Sequence, residues 1–310
     1  MSPLHPVEVL APAGNLEHVE AALAAGADAV YVGLKKFSAR PDAWSLSLDE
    51  IRTAVRMAHD ARRRLHIAMN AELRDPRAAD LEQSARVLEE IGVDAFIVGD
   101  FGLIHALQEA GSQVPIHAST LLGLYNAEGI RFLQRKYGVS RVVLNTNLYI
   151  DEIADLHFLC PDIELEMIAY GGVCFNDNRR CRQPHYLFEG EFCVGCKQIY
   201  DAHRGSEDLV VLGPLSKVAS QVRPPEIPLQ GGRLIWSPEI DLSALVGLFL
   251  KVGVISFKIE GRTRTTEYVA QSTRKLREAL DRALESPELA DPELNTFFYL
   301  AHPSRLRAEP

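Results

Sequence analysis

The sequence predicts a (β/α)8 barrel, an α/β domain in which eight parallel strands alternate with helices. Short apolar runs rich in β-branched residues alternate with segments of helical periodicity from the N-terminus onward. Eight such runs are present, which is the number a closed barrel requires. The alternative is an open doubly wound sheet, but no G-x-G-x-x-G motif follows the first run.

The first four strands are predicted where β-branched and other apolar residues cluster, at Val7–Leu10, Asp28–Gly33, Leu65–Asn70 and Asp94–Gly99. The helices behind them are predicted at residues 15–25, 48–62, 80–91 and 101–110. Asn15 favours a helix start because its side chain can cap free backbone N–H groups, and Gly26 favours the end of the same helix.

The last four strands are predicted at Pro115–Ser119, Arg141–Leu144, Ile163–Ala169 and Val254–Ile259. Their helices are predicted at residues 126–137, 150–159, 241–250 and 266–284. Periodicity fades over residues 201–238, where two short strands are predicted at Leu209–Leu212 and Arg233–Trp236. We therefore expect a barrel-like catalytic domain over residues 1–285, interrupted by a cysteine-rich insertion at 171–238 and followed by a tail at 286–310.

The 310 residues carry a formal net charge of -9, which argues against nucleic acid as a partner because nonspecific binding to phosphates needs clustered Lys and Arg. No apolar run reaches the roughly 20 residues that span a bilayer. The N-terminus lacks the charged and apolar regions of a secretory signal. These features predict a cytoplasmic protein without a membrane span.

Four of the five cysteines, Cys174, Cys181, Cys193 and Cys196, follow strand seven with the spacing C-x6-C-x11-C-x2-C. In a reducing compartment such a cluster indicates a metal site rather than disulfides. Four thiolates suit either zinc or an iron-sulfur cluster, and the spacing alone does not separate the two. Cys160 lies in a helical run and is interpreted as a small buried hydrophobe.

Barrel enzymes place their active sites at the C-terminal ends of the strands. His117 and Ser119 are two residues apart at the end of strand five, so their side chains point the same way. His117 has a core role as its alternative, and His66 is interpreted as structural.

Further candidates lie at the ends of strands two, seven and eight: Arg40, Tyr170, Lys258, Glu260 and Arg262. We expect His117, Glu260 and Arg262 to act catalytically, as proton-transfer and carboxylate-binding groups. Arg40, Ser119, Tyr170 and Lys258 are expected to bind substrate. The alternative for the strand-eight residues is an ion-paired barrel rim.

Several segments together resemble the collagenase-like peptidase family U32: EVLAPAGNLEHVEAALAAGADAVYVG, FSAR, VDAFIVGD, IHAST and SFKIEGRTRTTEYVAQSTRKLREALD. The resemblance implies a barrel-like domain with a 4Fe-4S cluster, Cys174 and Cys181 matching the family's first cysteine pair, and Cys193 and Cys196 its later pair. It also implies hydroxylation without dioxygen, either of ubiquinone precursors or of tRNA and rRNA bases, with prephenate as the implicated oxygen donor.

The short chain and its negative charge favour the quinone-pathway type, which acts on a small aromatic or isoprenoid precursor and works as a heterodimer of two related chains. Three alternatives stay open. The chain could hydroxylate RNA bases, or it could be a peptidase, although it has no H-E-x-x-H motif. It could also be a scaffold whose cluster stabilises a partner.

Overall fold

The computed structural model describes residues 7–35, 37–38, 44–71, 75–172, 200–204, 209–214, 233–235 and 239–285. The strands are, in chain order, β1 (Glu8–Ala13), β2 (Ala29–Gly33), β3 (Arg64–Met69), β4 (Ala95–Val98), β5 (Ile116–Ala118), β6 (Arg141–Val143), β7 (Glu164–Gly172), β8 (Tyr200–Arg204), β9 (Leu209–Pro214), β10 (Arg233–Ile235), β11 (Glu239–Asp241) and β12 (Val254–Ile259).

The helices are α1 (Leu16–Ala24), α2 (Leu48–Asp60), α3 (Asp75–Ile91), α4 (Phe101–Glu109), α5 (Ala127–Tyr137), α6 (Ile150–Leu159), α7 (Val246–Lys251) and α8 (Thr266–Glu285). Asn15 caps α1 by accepting a hydrogen bond from the backbone of His18. Ser47 and Glu50 form a capping box at the start of α2, with Ser47 N donating to Glu50 at 2.8 Å. Both helices therefore begin where the preceding loop must turn back over the sheet.

Eight parallel strands close into a barrel. The hydrogen-bonded order runs from β7 through β12, β1, β2, β3, β4 and β5 to β6, and β6 pairs again with β7. Glu166 of β7 lies opposite Val143 on one side and Ser256 on the other, which shows the closure directly. The predicted (β/α)8 barrel is confirmed.

Two groups of buried apolar residues stabilise this arrangement. The larger one lies between the strands and the helices and includes Val9, Val32, Ile67 and Leu276. The smaller one consists of residues from five strands: Leu10, Ala29, Tyr31, Ala68, Ile97 and Val143. Full burial of each large side chain contributes about 1.5–3 kcal/mol, so the outer group supplies most of the apolar stabilisation. The inner group leaves room for polar residues.

The described residues divide into two compact units. The first contains the barrel, from residue 7 to 171 and from 240 to 285. The second lies within residues 172–239 and holds a three-stranded antiparallel sheet in which β8 pairs with β9 and β10. The strand β8 is absent from the sequence prediction. None of the described helices has both the length and the hydropathy needed to cross a bilayer.

Candidate functional site

The barrel gathers most of the predicted site residues toward the C-terminal ends of its strands. Those that the structure describes lie on β5, β7 and β12 or directly after them: His117, Ser119, Tyr170, Lys258, Glu260 and Arg262. Arg40 and the four cysteines Cys174, Cys181, Cys193 and Cys196 lie outside the described residues, so the predictions for them stay predictions.

A buried guanidinium lies at the centre of a charged network inside the barrel. Arg141 Nε donates to Glu164 Oε2 at 2.7 Å, and Arg141 Nη1 lies 3.2 Å from Glu166 Oε2. Arg141 Nη1 also donates to Glu8, which is on β1. Because β1 and β6 are not neighbours in the sheet, this last bond crosses the barrel interior. A charge this deeply buried is tolerated only with such compensation.

Glu8 and Glu166 share a hydroxyl partner. Ser256 Oγ lies 2.7 Å from Glu8 Oε1 and 3.3 Å from Glu166 Oε2. Burial would raise the pKa of Glu8, but the charges of Arg141 and Arg64 outweigh it and lower that pKa. Burial would also raise the pKa of Glu166, but the charges of Lys258 and Arg141 outweigh burial and lower that pKa. Both carboxyl groups are therefore ionised at neutral pH.

The network ends at the Lys258 ammonium. Lys258 Nζ donates to Glu166 Oε1 at 2.8 Å and lies 4.5 Å from the centroid of the Tyr31 ring. Tyr31 is itself fixed, since its hydroxyl donates to the backbone carbonyl of Ile259 at 2.9 Å. The guanidinium of Arg262 lies 5.8 Å from the same ring. Two cations are thus held beside one aromatic face, an arrangement that the ring quadrupole favours.

Gly33 makes room for the Arg262 side chain. A Cβ atom at this position would clash with Arg262 Nη1 and would lie 2.6 Å from Ser45 Oγ and 2.9 Å from Ser38 Oγ. All three polar side chains are buried, and Ser45 Oγ has no hydrogen-bond partner among the described residues. A guanidinium beside two hydroxyls is a donor set suited to a carboxylate or phosphate.

His66 and His117 form a buried pair in the barrel interior. Their ring centroids are 5.0 Å apart and their planes nearly perpendicular, at 89°. Burial, followed by the charge of Arg141, lowers the pKa of both imidazoles well below 6.5. Neither Nδ1 atom has a hydrogen-bond partner within the described part of the chain. Both rings are therefore neutral at pH 7, and the same environment makes them weak bases.

Other predicted residues have structural contacts as well. Ser119 Oγ accepts a hydrogen bond from Leu121 N at 3.3 Å, which caps a short 3-10 turn after β5. The backbone N–H of Glu260 donates to Tyr170 O at 2.8 Å, which joins the ends of β12 and β7. Within the described ranges, no three His, Cys, Asp or Glu side chains come together as metal ligands.

Sequence reasoning missed the centre of the network, Glu8, Arg141 and Glu166. Charged residues at strand starts look like solvent-exposed ends, so nothing in composition marked them as buried. One signal was present: Glu164 and Glu166, like Ser256 and Lys258, alternate with apolar residues inside strands. In a barrel whose outer face is covered by helices, such alternation places the polar residues inside.

Comparisons with known proteins give matches that cover most of this chain. The family model described as Peptidase family U32 matches residues 14–301. The chain is 28% identical to the tRNA hydroxylation protein P of Escherichia coli, over 95% of this chain and 72% of that protein. It is 30% identical to the 23S rRNA 5-hydroxycytidine synthase of Escherichia coli, over 91% of this chain and 40% of that protein.

A solved structure of a U32 peptidase superposes with a TM-score of 0.52 at 11% identity, covering 84% of this chain and 94% of that one. At this identity the match supports the fold alone.

These relatives overturn two predictions. The assignment to the quinone-pathway type acting on a small precursor is wrong, because matched proteins from several bacteria are named for hydroxylation of tRNA or rRNA. The argument against nucleic acid as a partner is wrong for the same reason. Net charge sums the whole chain and hides local balance, since residues 262–275 contain four basic residues and one acidic residue.

The predicted heterodimer depended on the quinone-pathway type and is not carried further. The family assignment itself rests on a match to nearly the whole chain: the protein belongs to peptidase family U32.

Proposed function

We propose that this protein hydroxylates a base in RNA. The proposal rests on two matches of this chain. One matched protein is named for hydroxylation of tRNA, and the other is named for making 5-hydroxycytidine in 23S rRNA. Each of the two matches spans more than nine tenths of this chain. The matched segment is therefore the best candidate for the step that the two proteins have in common.

The barrel interior offers groups suited to such a step. His117 is neutral because burial and the nearby Arg141 lower its pKa, so it would hold a proton only transiently as a base carbon loses hydrogen, before passing the proton on. Glu260 directly follows β12 and is the second proton-transfer candidate. Lys258, Arg262 and the hydroxyl of Ser45 supply hydrogen-bond donors at the same end of the barrel, where they would bind and orient an anionic reactant.

We further propose that Cys174, Cys181, Cys193 and Cys196 hold a 4Fe-4S cluster, with zinc as the alternative. The donor set fits either group, because four thiolates suit a cubane cluster as well as a structural zinc ion. A bound cluster would supply electron-transfer chemistry, which zinc cannot. Hydroxylation of an aromatic base is an oxidation, and this favours the cluster.

The oxygen atom is proposed to come from an organic hydroxyl donor rather than from dioxygen. In such a transfer the hydroxyl group leaves the donor and replaces a hydrogen on the base, while a hydrogen replaces the hydroxyl on the donor. Prephenate is the donor that the family resemblance implies. The carboxylates of such a donor would match the Arg262, Ser38 and Ser45 donor set.

The test compares modified nucleosides in a strain lacking this gene with those of its parent, with tRNA and rRNA digested separately. We expect one nucleoside, heavier than its parent nucleoside by one oxygen atom, to be missing from one of the two RNA fractions. Unchanged nucleosides in both fractions would refute the proposal. The peptidase and scaffold alternatives stay predictions, since nothing in the described residues tests them.

A further inference from the structure

We propose that two tyrosines and two basic residues, one near the end of β7 and the others after β12 and on α8, form a stacking platform for unpaired bases of an RNA substrate. The residues of this platform are Tyr170, Tyr268, Arg264 and Lys275. This inference rests on the proposed function, because it names where that substrate would be held.

The Tyr268 ring is fixed beside the barrel end. Its hydroxyl lies 3.1 Å from the backbone carbonyl of Glu260. Two glycines leave the space that the ring occupies: a Cβ on Gly261 would lie 2.6 Å from Tyr268 Cε1, and one on Gly171 would lie 2.9 Å from the hydroxyl oxygen. Gly171 also has a φ of 106°, which side chains rarely tolerate. The two glycines therefore allow the backbone to approach the Tyr268 ring closely.

Tyr170 extends the aromatic surface. Its ring centroid is 6.1 Å from that of Tyr268, and the two planes are inclined by 55°. Both tyrosines are only partly buried, so part of each side chain is open to solvent. Because the Tyr268 ring is held by its hydroxyl contact to the Glu260 carbonyl and the Tyr170 ring lies against it, little side-chain entropy would be lost when a base stacks on them.

Cations accompany both rings. The guanidinium of Arg264 lies 5.2 Å from the Tyr268 ring centroid, and Lys275 Nζ lies 5.8 Å from the Tyr170 ring centroid. Lys275 is held by Asp241, with which it forms an ion pair. Alternating aromatic and basic side chains are the combination that binds single-stranded nucleic acid, since rings stack on bases and cations contact phosphates.

The position of the platform fits its proposed role. Tyr170 lies near the C-terminal end of β7, Arg264 follows β12, and Tyr268 and Lys275 lie on α8. The backbone carbonyl of Tyr170 accepts a hydrogen bond from the backbone N–H of Glu260, one of the proton-transfer candidates. A base stacked here would place the neighbouring nucleotide within reach of the barrel mouth. Enzymes that modify bases act on unpaired or extruded nucleotides, which need such a support.

A second cation–aromatic cluster provides a matched control. Lys136 lies 5.7 Å from the Phe132 ring and 5.2 Å from the Tyr137 ring, on α5 at the outside of the barrel. It has the same chemistry but is away from the strand ends. General attraction of RNA to cations near rings would affect both clusters equally.

The experiment measures fluorescence anisotropy of a labelled single-stranded RNA of about twelve nucleotides with the full chain. We expect Tyr170→Leu to raise the dissociation constant about tenfold, while Tyr170→Phe keeps the ring and stays within about twofold of the wild type. Arg264→Gln should weaken binding and reduce the salt dependence by about one phosphate contact. Lys136→Gln should leave binding unchanged.

The inference is overturned if the wild type does not bind this RNA, if Tyr170→Leu binds as the wild type does, or if Lys136→Gln weakens binding as much as Arg264→Gln. Equal affinity for the same RNA annealed to its complement would also overturn it, because paired bases cannot stack on the platform. Circular dichroism verifies that each variant is folded, and Arg264→Gln, a change at a partly exposed side chain, remains informative if Tyr170→Leu is not.

Failure of the proposed function would look different. In that case RNA would be bound through the platform, but nucleosides from the deletion strain would match those of the parent. The converse result is a nucleoside missing from the deletion strain while Tyr170→Leu binds RNA as the wild type does. That result would support the proposed hydroxylation and refute the platform.

Discussion

The Lys258 ammonium lies 2.8 Å from a carboxylate oxygen of Glu166 inside the barrel, and this pair connects the strand ends to the buried charges below them. Glu166 also contacts Arg141, which in turn bonds to Glu8 on the opposite side of the interior. The position of Lys258 therefore depends on residues from four strands. A change in any one of them should affect the candidate site as well as stability.

Removing the Glu166 charge should destabilise the protein strongly. Glu166→Gln leaves Lys258 and Arg141 buried with less compensation, and we expect the free energy of unfolding to fall by about 3 kcal/mol. Urea denaturation measures the change. The control is Glu82→Gln, which removes an exposed pair with Arg86 and should cost about 0.5 kcal/mol or less. Equal effects of the two substitutions would contradict the role of the network.

Stability should decline on mild acidification. His66 and His117 have pKa values in the folded protein well below the 6.5 of the unfolded chain, so the unfolded state binds protons first as the pH falls. Stability is therefore complete above about pH 6.5 and is lost below it, by up to about 1.4 kcal/mol per pH unit for each histidine.

Urea denaturation between about pH 7 and about pH 5 measures this decline in stability. In that range the lowered pKa values of Glu8 and Glu166 contribute little to the pH dependence of stability. His117→Gln should reduce the slope, because it removes one of the two histidines whose pKa is lowered by folding. A slope that His117→Gln leaves unchanged would show that other groups cause the decline.

The position of the Arg262 side chain can be tested by adding one methyl group at Gly33. Gly33→Ala should push the guanidinium away, because the new Cβ would clash with Arg262 Nη1. We expect activity to fall about a hundredfold and stability by about 1–3 kcal/mol. Gly129→Ala is the control, since its Cβ would meet Leu124 at an ordinary 3.4 Å within α5. Full activity of Gly33→Ala would exclude a role for the Arg262 position.

The cysteine assignment predicts metal content. Anaerobically purified protein should contain about four iron atoms per chain, as a cubane cluster with four thiolate ligands requires. Cys193→Ser should lose most of the iron, whereas Cys160→Ser should keep it, because Cys160 is buried against the backbone of Ala127. Zinc in place of iron would support the alternative cofactor, and loss of iron from Cys160→Ser would contradict the ligand assignment.

The sequence predicted the fold well because strands and helices leave periodic signals. The last barrel strand, β12, and helix α6 have the bounds that the pattern predicts, and the other barrel strands differ from their predicted bounds by at most three residues at an end. The site was predicted less completely. His117, Lys258 and Arg262 were chosen for their places at strand ends, and their roles stay predictions; the buried groups around them come from distant parts of the chain.

Alternation with apolar residues marks Glu166 as inward-facing, but no local signal shows which distant residues these partners contact. Glu8 and Arg141 are 133 residues apart, and only closure of the barrel brings them together. Tyr268 was not among the predicted site residues, since its relation to Gly171 and Gly261 depends on where two strands end. Substrate class was misjudged because total charge does not report the charge near the site.

The most direct test of the central claim is the amount of hydroxylated nucleoside in RNA from the deletion strain, grown without dioxygen and carrying either the wild-type gene or His117→Gln. The account predicts that the wild-type gene restores a nucleoside one oxygen atom heavier than its parent and that His117→Gln restores little of it. If the wild-type gene restores no such nucleoside, or if His117→Gln restores as much, the account is contradicted.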